Sequence, residues 1–224
     1  RHLIRIKVLQ TLYAYQKVEK PDFEVFYKEL EFSLKKSYEQ YLMFLDILVE
    51  LRSHAEFRIT QIQDRQLKNE AEWRRLERLA NNRVLLQLEN NPQFKSLLMS
   101  MKISLVKYQP AFKEIFKTIV DSEFYEEYLT QEDSYQADKQ LIRTALLNVV
   151  AETESLFDSF EEFSIYWNDD IDNSVSMVEK TLKNFQEKNQ EGGDILPMFA
   201  DKDTHDFGYK LFTQAVKQWG EINQ

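Results

Sequence analysis

The chain has 224 residues, enough for one sizeable core or two small ones, and carries 29 basic against 38 acidic side chains for a net charge of −9. That balance excludes a surface coated throughout with nucleic acid and confines any RNA or DNA contact to a patch. The absence of cysteine removes disulfides and thiolate metal sites and fits a reducing cytoplasm. No apolar run approaches the ~20 residues that span a bilayer, and no signal-peptide pattern opens the chain, so a cytoplasmic protein without membrane contact is expected. Only four glycines and four prolines accompany abundant Leu, Lys, Glu, Gln and Phe, a poverty of turn formers that leaves almost no room for hairpins. The composition predicts an all-α fold.

The first sixteen residues are locally basic, with Arg1, Arg5 and Lys7 and no acid before Glu19. On an anionic molecule such an end reads as a local docking site for a nucleic-acid backbone. The segment also has helical form. With Arg1 at zero and about 100° per residue, Ile4, Val8, Leu12 and Tyr15 share one apolar side. Leu9 and Tyr13 extend that arc, while Lys7, Gln10, Thr11 and Ala14 fall opposite. Arg5 is a misfit inside the apolar arc: either its stem packs near a helix end with its head in water, or this end overhangs the core and meets a partner.

Lys20-Pro21-Asp22 reads as a break, with Asp22 as N-cap of a second helix. Helical spacing then continues to about Arg65, and forty uninterrupted residues predict a bend near Ser33 to Ser37. A highly charged stretch over about 66–90 has Trp73, Leu76, Leu79, Val84, Leu85 and Leu88 as its apolar series. Asn90-Asn91-Pro92 is a turn, followed by a short helix over 93–99, another opened by Pro110 and running to Val120, and a short element around Phe124, Tyr125 and Tyr128. Amphipathic helices are predicted over 138–160 and 168–185. The stretch 186–204, with Gly192-Gly193 and Pro197, is the best linker, and a last helix starts near Asp206. It lacks a stop signal before Gln224, so a missing C-terminal portion is expected.

The pattern Arg1-His2-x-x-Arg5 running into Val8-Leu9-Gln10-Thr11-Leu12-Tyr13 resembles the first helix of the NusB transcription antitermination family. The remainder is similar to an expanded bacterial form in which the helical core is interrupted by a long polar insertion, and the Ile165-Tyr166-Trp167-Asn168-Asp169-Asp170 run resembles that version too. The resemblance implies a NusB-type helical bundle, elaborated by an inserted helical region and truncated at its C-terminus. Its parts are N-terminal helices over 1–64, a polar insertion over 65–135 and further, incomplete bundle helices over 136–224 with a flexible linker at 186–204. It implies a transcription antitermination or termination factor that binds boxA-like leader RNA together with NusE, a small-subunit ribosomal protein, within the transcription elongation complex. The family's RNA-facing positions fall on Arg1 and Arg5. Gln10 and Tyr13 are motif positions, and Tyr13 corresponds to an aromatic near the partner protein. His2 and Leu3 stand where members often carry further arginines, and the family's C-terminal Asn-Gly-Val-Leu-Asp-like end is absent.

The resulting RNA-binding set is Arg1, His2, Arg5, Lys7 and Gln10, with Tyr13 for the partner. Three phosphate contacts from Arg1, Arg5 and Lys7 give a salt slope near −2 on single-stranded RNA, at about −0.7 each. Base contacts then fall to His2 and Tyr13, although the plain reading of Tyr13 is core packing. Asp169, Asp170 and Asp172 open a helix whose far end carries Lys180 and Lys183, which suits the helix dipole, with Asn168 or Asp169 as cap; no calcium-loop spacing surrounds them. His2, His54 and His205 are isolated. Arg74, Arg75, Arg78 and Arg83 interleave with Glu70, Glu72 and Glu77 and read as a solvated, salt-bridged helix face. No phosphate loop or nucleophile pattern exists, so no enzyme, cofactor or metal is expected. Two alternatives remain open: a protein-binding helical scaffold without RNA contact, and the accessory RNA-binding domain of an RNA methyltransferase, which shares this fold.

Overall fold

The structure is a computed structural model that describes residues 1–64, 70–164 and 166–222. Arg65 at the start of the expected insertion, Ile165 and Gln224 lie outside the described residues. Among those described are eleven α-helices and no strand, as the composition requires. In chain order they are α1 (His2–Gln16), α2 (Phe23–Asp64), α3 (Glu70–Ala80), α4 (Arg83–Asn90), α5 (Pro92–Met101), α6 (Gln109–Val120), α7 (Glu123–Thr130), α8 (Tyr135–Asn148), α9 (Glu154–Phe163), α10 (Ile171–Asn184) and α11 (Lys202–Ile222). The residues group into two units, Arg1–Tyr38 with Leu196–Gln224, and Glu39–Ile195. The boundaries expected at 64/65 and 135/136 both fall inside the larger unit.

The smaller unit is built on α1, the first turns of α2, and α11. Asp22 caps α2 as expected, its Oδ1 accepting from the backbone N–H of Glu24 at 2.8 Å and of Val25 at 3.3 Å. Ile4, Val8, Leu30, Leu34 and Phe212 form the buried core, with Leu12, Tyr15, Phe23, Phe26 and Leu211 packed against it. Burying each such side chain stabilises the unit by about 1.5–3 kcal/mol. Tyr15 meets Phe26 edge-on at 5.2 Å, and Phe23 stacks on Phe212 at 5.2 Å.

α2 runs as unbroken helix through Ser33 to Ser37. Ser33 Oγ donates to the Leu30 carbonyl at 2.8 Å and Ser37 Oγ to the Ser33 carbonyl at 3.1 Å, so both hydroxyls bond back into the helix instead of opening it. With no proline or glycine in the run, nothing else breaks it.

In the larger unit, α4, α7 and α10 pack on α8, and α6 packs on α7 and α9. The helix expected over 138–160 is divided, and the charged stretch over 66–90 holds two helices among the described residues. The 66–90 stretch breaks at Asn82, whose backbone turns to φ −57°, ψ 116° and whose Oδ1 accepts from the N–H groups of Val84 and Leu85, both at 3.1 Å. The 138–160 stretch breaks at Val149 and passes through a 3₁₀ turn at Val150–Glu152, with Thr153 Oγ1 donating to the Val149 carbonyl at 2.7 Å. The threonine gives that carbonyl a partner other than the next helical N–H. Asn91 fulfils its expected role twice, ending α4 and capping α5 through Phe94 N at 2.8 Å, with Pro92 in the first turn.

The stretch from Gln186 is irregular, as its glycines predict, but it is fastened to the larger unit. Gln87 Nε2 donates to the carbonyls of Gln186 and Asn189, and Asn91 Nδ2 to those of Glu191 and Gly193. Gly192 takes φ +79°, and a Cβ there would lie 2.2 Å from the Phe185 ring.

Asp138 is the polar hub of this unit. It is buried, and Oδ2 accepts from Arg83 N at 3.0 Å and Arg83 Nε at 2.6 Å, while Oδ1 accepts from the Tyr128 hydroxyl at 2.7 Å. Its backbone carbonyl takes Asn82 Nδ2 at 3.2 Å. The carboxylate therefore ties α4 and α7 to α8. Asp138→Ala leaves Arg83 with Asp133 alone and the Tyr128 hydroxyl with only the Arg78 carbonyl at 3.3 Å, and is expected to cost about 1–3 kcal/mol, read as a lowered denaturation midpoint.

Candidate nucleic-acid interface

The orientation of α1 is set by α11. Gly208 lies against Ile4, where an added Cβ would stand 3.3 Å from Ile4 Cγ2, so the glycine lets the two helices approach closely. The face turned to the core carries Ile4, Lys7, Val8 and Thr11, with Leu12 and Tyr15 half-buried beside it. Ile4, Val8, Leu12 and Tyr15 thus lie where the helical wheel put them.

Four neighbours do not. Lys7 and Thr11, assigned to the side away from the core, are buried, Lys7 at 1% exposure, and the Thr11 hydroxyl donates to the Lys7 carbonyl at 2.8 Å. Leu9 and Tyr13, assigned to the apolar arc, are 67% and 63% exposed. The cause is rotational: covering by α11 centres the buried arc on Ile4 and Thr11, not on Leu12. Ile6 is exposed as well, so the open side of α1 has an apolar centre.

Arg1, His2, Arg5 and Gln10 are all exposed. The guanidinium carbons of Arg1 and Arg5 lie over the Phe207 ring at 5.5 and 5.7 Å from its centroid. Among the described residues neither forms an ion pair with a carboxylate. The nearest electrostatic relation is with Asp201, which caps α11 through Thr204 N at 2.6 Å; the Thr204 hydrogen bonds first, and Arg1 last, hold its carboxyl below the ordinary range. Tyr13 has Lys17 Nζ over its ring at 5.0 Å. The structure therefore brings Arg1, Arg5 and Phe207 together and leaves Lys7 out. Phe207 and Gly208 were missed as site-builders because they lie some two hundred residues downstream; the glycine within a helical pattern was the available signal.

Charge is divided unevenly. The smaller unit has eleven lysines and arginines against nine acids, the larger eighteen against twenty-nine, so the whole acidic excess belongs to the larger unit.

The arginine group on α3 and α4 is ion-paired as expected: Arg74 makes a solvated pair with Glu70 one turn away at 3.1 Å, while the other three reach neighbouring helices. Arg75 pairs with Glu126 and donates to the Val120 carbonyl at 2.9 Å. Arg78 donates to the Gln131 carbonyl at 2.8 Å over the Tyr128 ring, and Arg83 reaches Asp133 and Asp138. These side chains join helices. At α10 the N-cap position is Asp170, with no side-chain cap bond, instead of Asn168 or Asp169. Among the described residues no group of three His, Asp or Glu could hold a metal ion, and no helix is long and apolar enough to cross a membrane.

Comparison with known protein families, characterised proteins and solved structures finds no match to this chain.

The contact of α1 with α11 is directly testable. Gly208→Val drives side-chain atoms into Ile4 and is expected to cost about 1–3 kcal/mol in thermal unfolding, and Gly208→Val/Ile4→Ala to lose less than the sum of the two single variants.

Proposed function

We propose that the chain is an RNA-binding protein of the NusB kind, which holds boxA-like leader RNA at one edge of α1 and NusE at its apolar centre. In this reading it works by binding and not by chemistry, as a transcription antitermination factor in the cytoplasm. The observation that carries the reading is the pair Arg1 and Arg5: exposed, stacked on Phe207 and clear of carboxylate ion pairs, on the unit without an acidic excess. A guanidinium set over an aromatic face keeps N–H groups to offer to phosphate oxygens. His2, exposed one residue from Arg1, is placed to meet a base.

With Lys7 buried, two phosphate contacts remain, and the salt slope on single-stranded RNA becomes about −1.4. Labelled boxA-like RNA titrated at two salt concentrations is expected to show that slope, and Arg1→Ala/Arg5→Ala to flatten it towards zero with weaker binding. RNA affinity that ignores both salt and this double variant rules the reading out.

A second reading, a protein-binding scaffold without RNA contact, is favoured by one observation, the exposed Leu9 and Tyr13. Leu9→Ala/Tyr13→Ala is expected to weaken NusE capture in a pull-down while changing stability by no more than about 0.5 kcal/mol, because neither side chain is in the core. NusE capture by a chain with no RNA affinity would favour the scaffold.

A further inference from the structure

A cleft of about 620 Å³ opens in the larger unit where α2, α3 and α6 meet, a size usual for small-molecule sites. Its floor is apolar, with Leu76 and Tyr125 buried and Phe116 beneath His54. At its rim stands Phe57, 57% exposed, a flat aromatic face left open. The wall is cationic, and its cations divide into two kinds. Arg58 is paired with Glu72 at 2.5 Å and Arg75 with Glu126, so their charge is met. Lys113 and Lys117 are exposed, and among the described residues neither has a carboxylate within ion-pair distance.

Those two lysines stand one turn apart on α6, which brings their stems to about 5–6 Å of each other on one face. Two adjacent ammonium groups suit an anion with several oxygens spread over more than one centre, a phosphate ester or pyrophosphate, better than a single carboxylate. Gln61 and Asp121, also in the lining, offer acceptors for amino or hydroxyl hydrogens. Burial first, then Arg58 and Lys113, push the His54 imidazole below its ordinary value, and its ring lies edge-on to Phe112 at 5.5 Å and Phe116 at 4.5 Å. A flat apolar face, a pair of open ammoniums one turn apart and polar acceptors in the same lining are the parts that recognise a nucleotide.

We propose that this cleft binds a nucleoside phosphate, its base against Phe57 and its phosphates on Lys113 and Lys117. The site is independent of α1 and of the RNA reading built there. The nucleotide can come free in solution or as the 5′-phosphorylated end of a strand, and the two sources share this chemistry.

The test is calorimetric titration of the full chain with ADP, with adenosine, with pyrophosphate and with a 5′-phosphorylated trinucleotide. ADP is expected to saturate at millimolar concentration or below and to bind more tightly than adenosine or pyrophosphate alone. Lys113→Glu/Lys117→Glu, both on the surface, should weaken it by about tenfold or more, and Phe57→Ala by several-fold, with circular dichroism melts unchanged. Binding of the trinucleotide alone, lost in the lysine variant, keeps the site and assigns its source to a strand end. No binding of either ligand, or binding indifferent to the lysine variant in a chain that melts normally, overturns the proposal.

Discussion

The larger unit depends on burying α2 from every direction at once. Glu39 through Leu45 are seven consecutive residues, nearly two turns, and none is more than 8% exposed. A helix covered all round cannot turn its polar residues to water, so each must find a partner inside or cost about 1–3 kcal/mol. Gln40 meets that demand with both ends of its amide: Nε2 donates to the Trp167 carbonyl and Oε1 accepts from Ser174 Oγ, both at 2.8 Å. Tyr41 shares a hydrogen bond of 2.7 Å with Thr181. These bonds set the register of α10 and of the turn before it against α2. Phe44 and Phe160 at 5.9 Å, and Phe160 and Trp167 at 4.9 Å, fill the space around them.

The same logic of satisfied and unsatisfied charge separates structural cations from those available to a ligand. Arg52, Arg75, Arg78 and Arg83 are spent on carboxylates and helix-end carbonyls, and each joins two parts of the larger unit. Such cations hold helices together and are poor candidates for binding, because a ligand would have to compete with an existing partner. Arg1, Arg5, Lys113 and Lys117 are different in kind: exposed, set beside aromatic rings or an apolar floor, and in no ion pair among the described residues. Composition alone does not make that distinction, since it counts both kinds of cation alike.

Much of the helix inventory was legible because it rests on local chemistry. Asp22 and Asn91 cap where their side chains can reach the next N–H groups, and Pro92 and Pro110 sit in first turns. The misplaced boundaries came from residues with two local options. Ser33 and Ser37 bond back into a continuous helix, while Thr153 and Asn82 leave theirs, and the choice is made by packing that the local sequence does not contain. The site was legible in part. Arg1 and Arg5 were visible as an anomaly of charge, but their support, Phe207, and the rotation of α1 come from α11. The cleft was invisible, since His54, Arg75 and Lys113 belong to helices far apart in the chain.

The rotation of α1 carries a consequence for its open side. The helix has apolar residues on two sides: Ile4, Val8 and Leu12 on one, Ile6, Leu9 and Tyr13 on the other. A helix apolar all round belongs inside a protein, yet α11 and the start of α2 cover one side. Turning α1 to bury Leu9 and Tyr13 would bring Val8 and Ile4 into water and lose the close fit at Gly208. The present rotation keeps that fit and accepts a buried Lys7 as its cost. The open apolar strip is therefore not a failure of packing that another arrangement of the same residues would mend. It is what remains when one of two usable faces has been chosen, and it lies next to the two arginines that the core did not need.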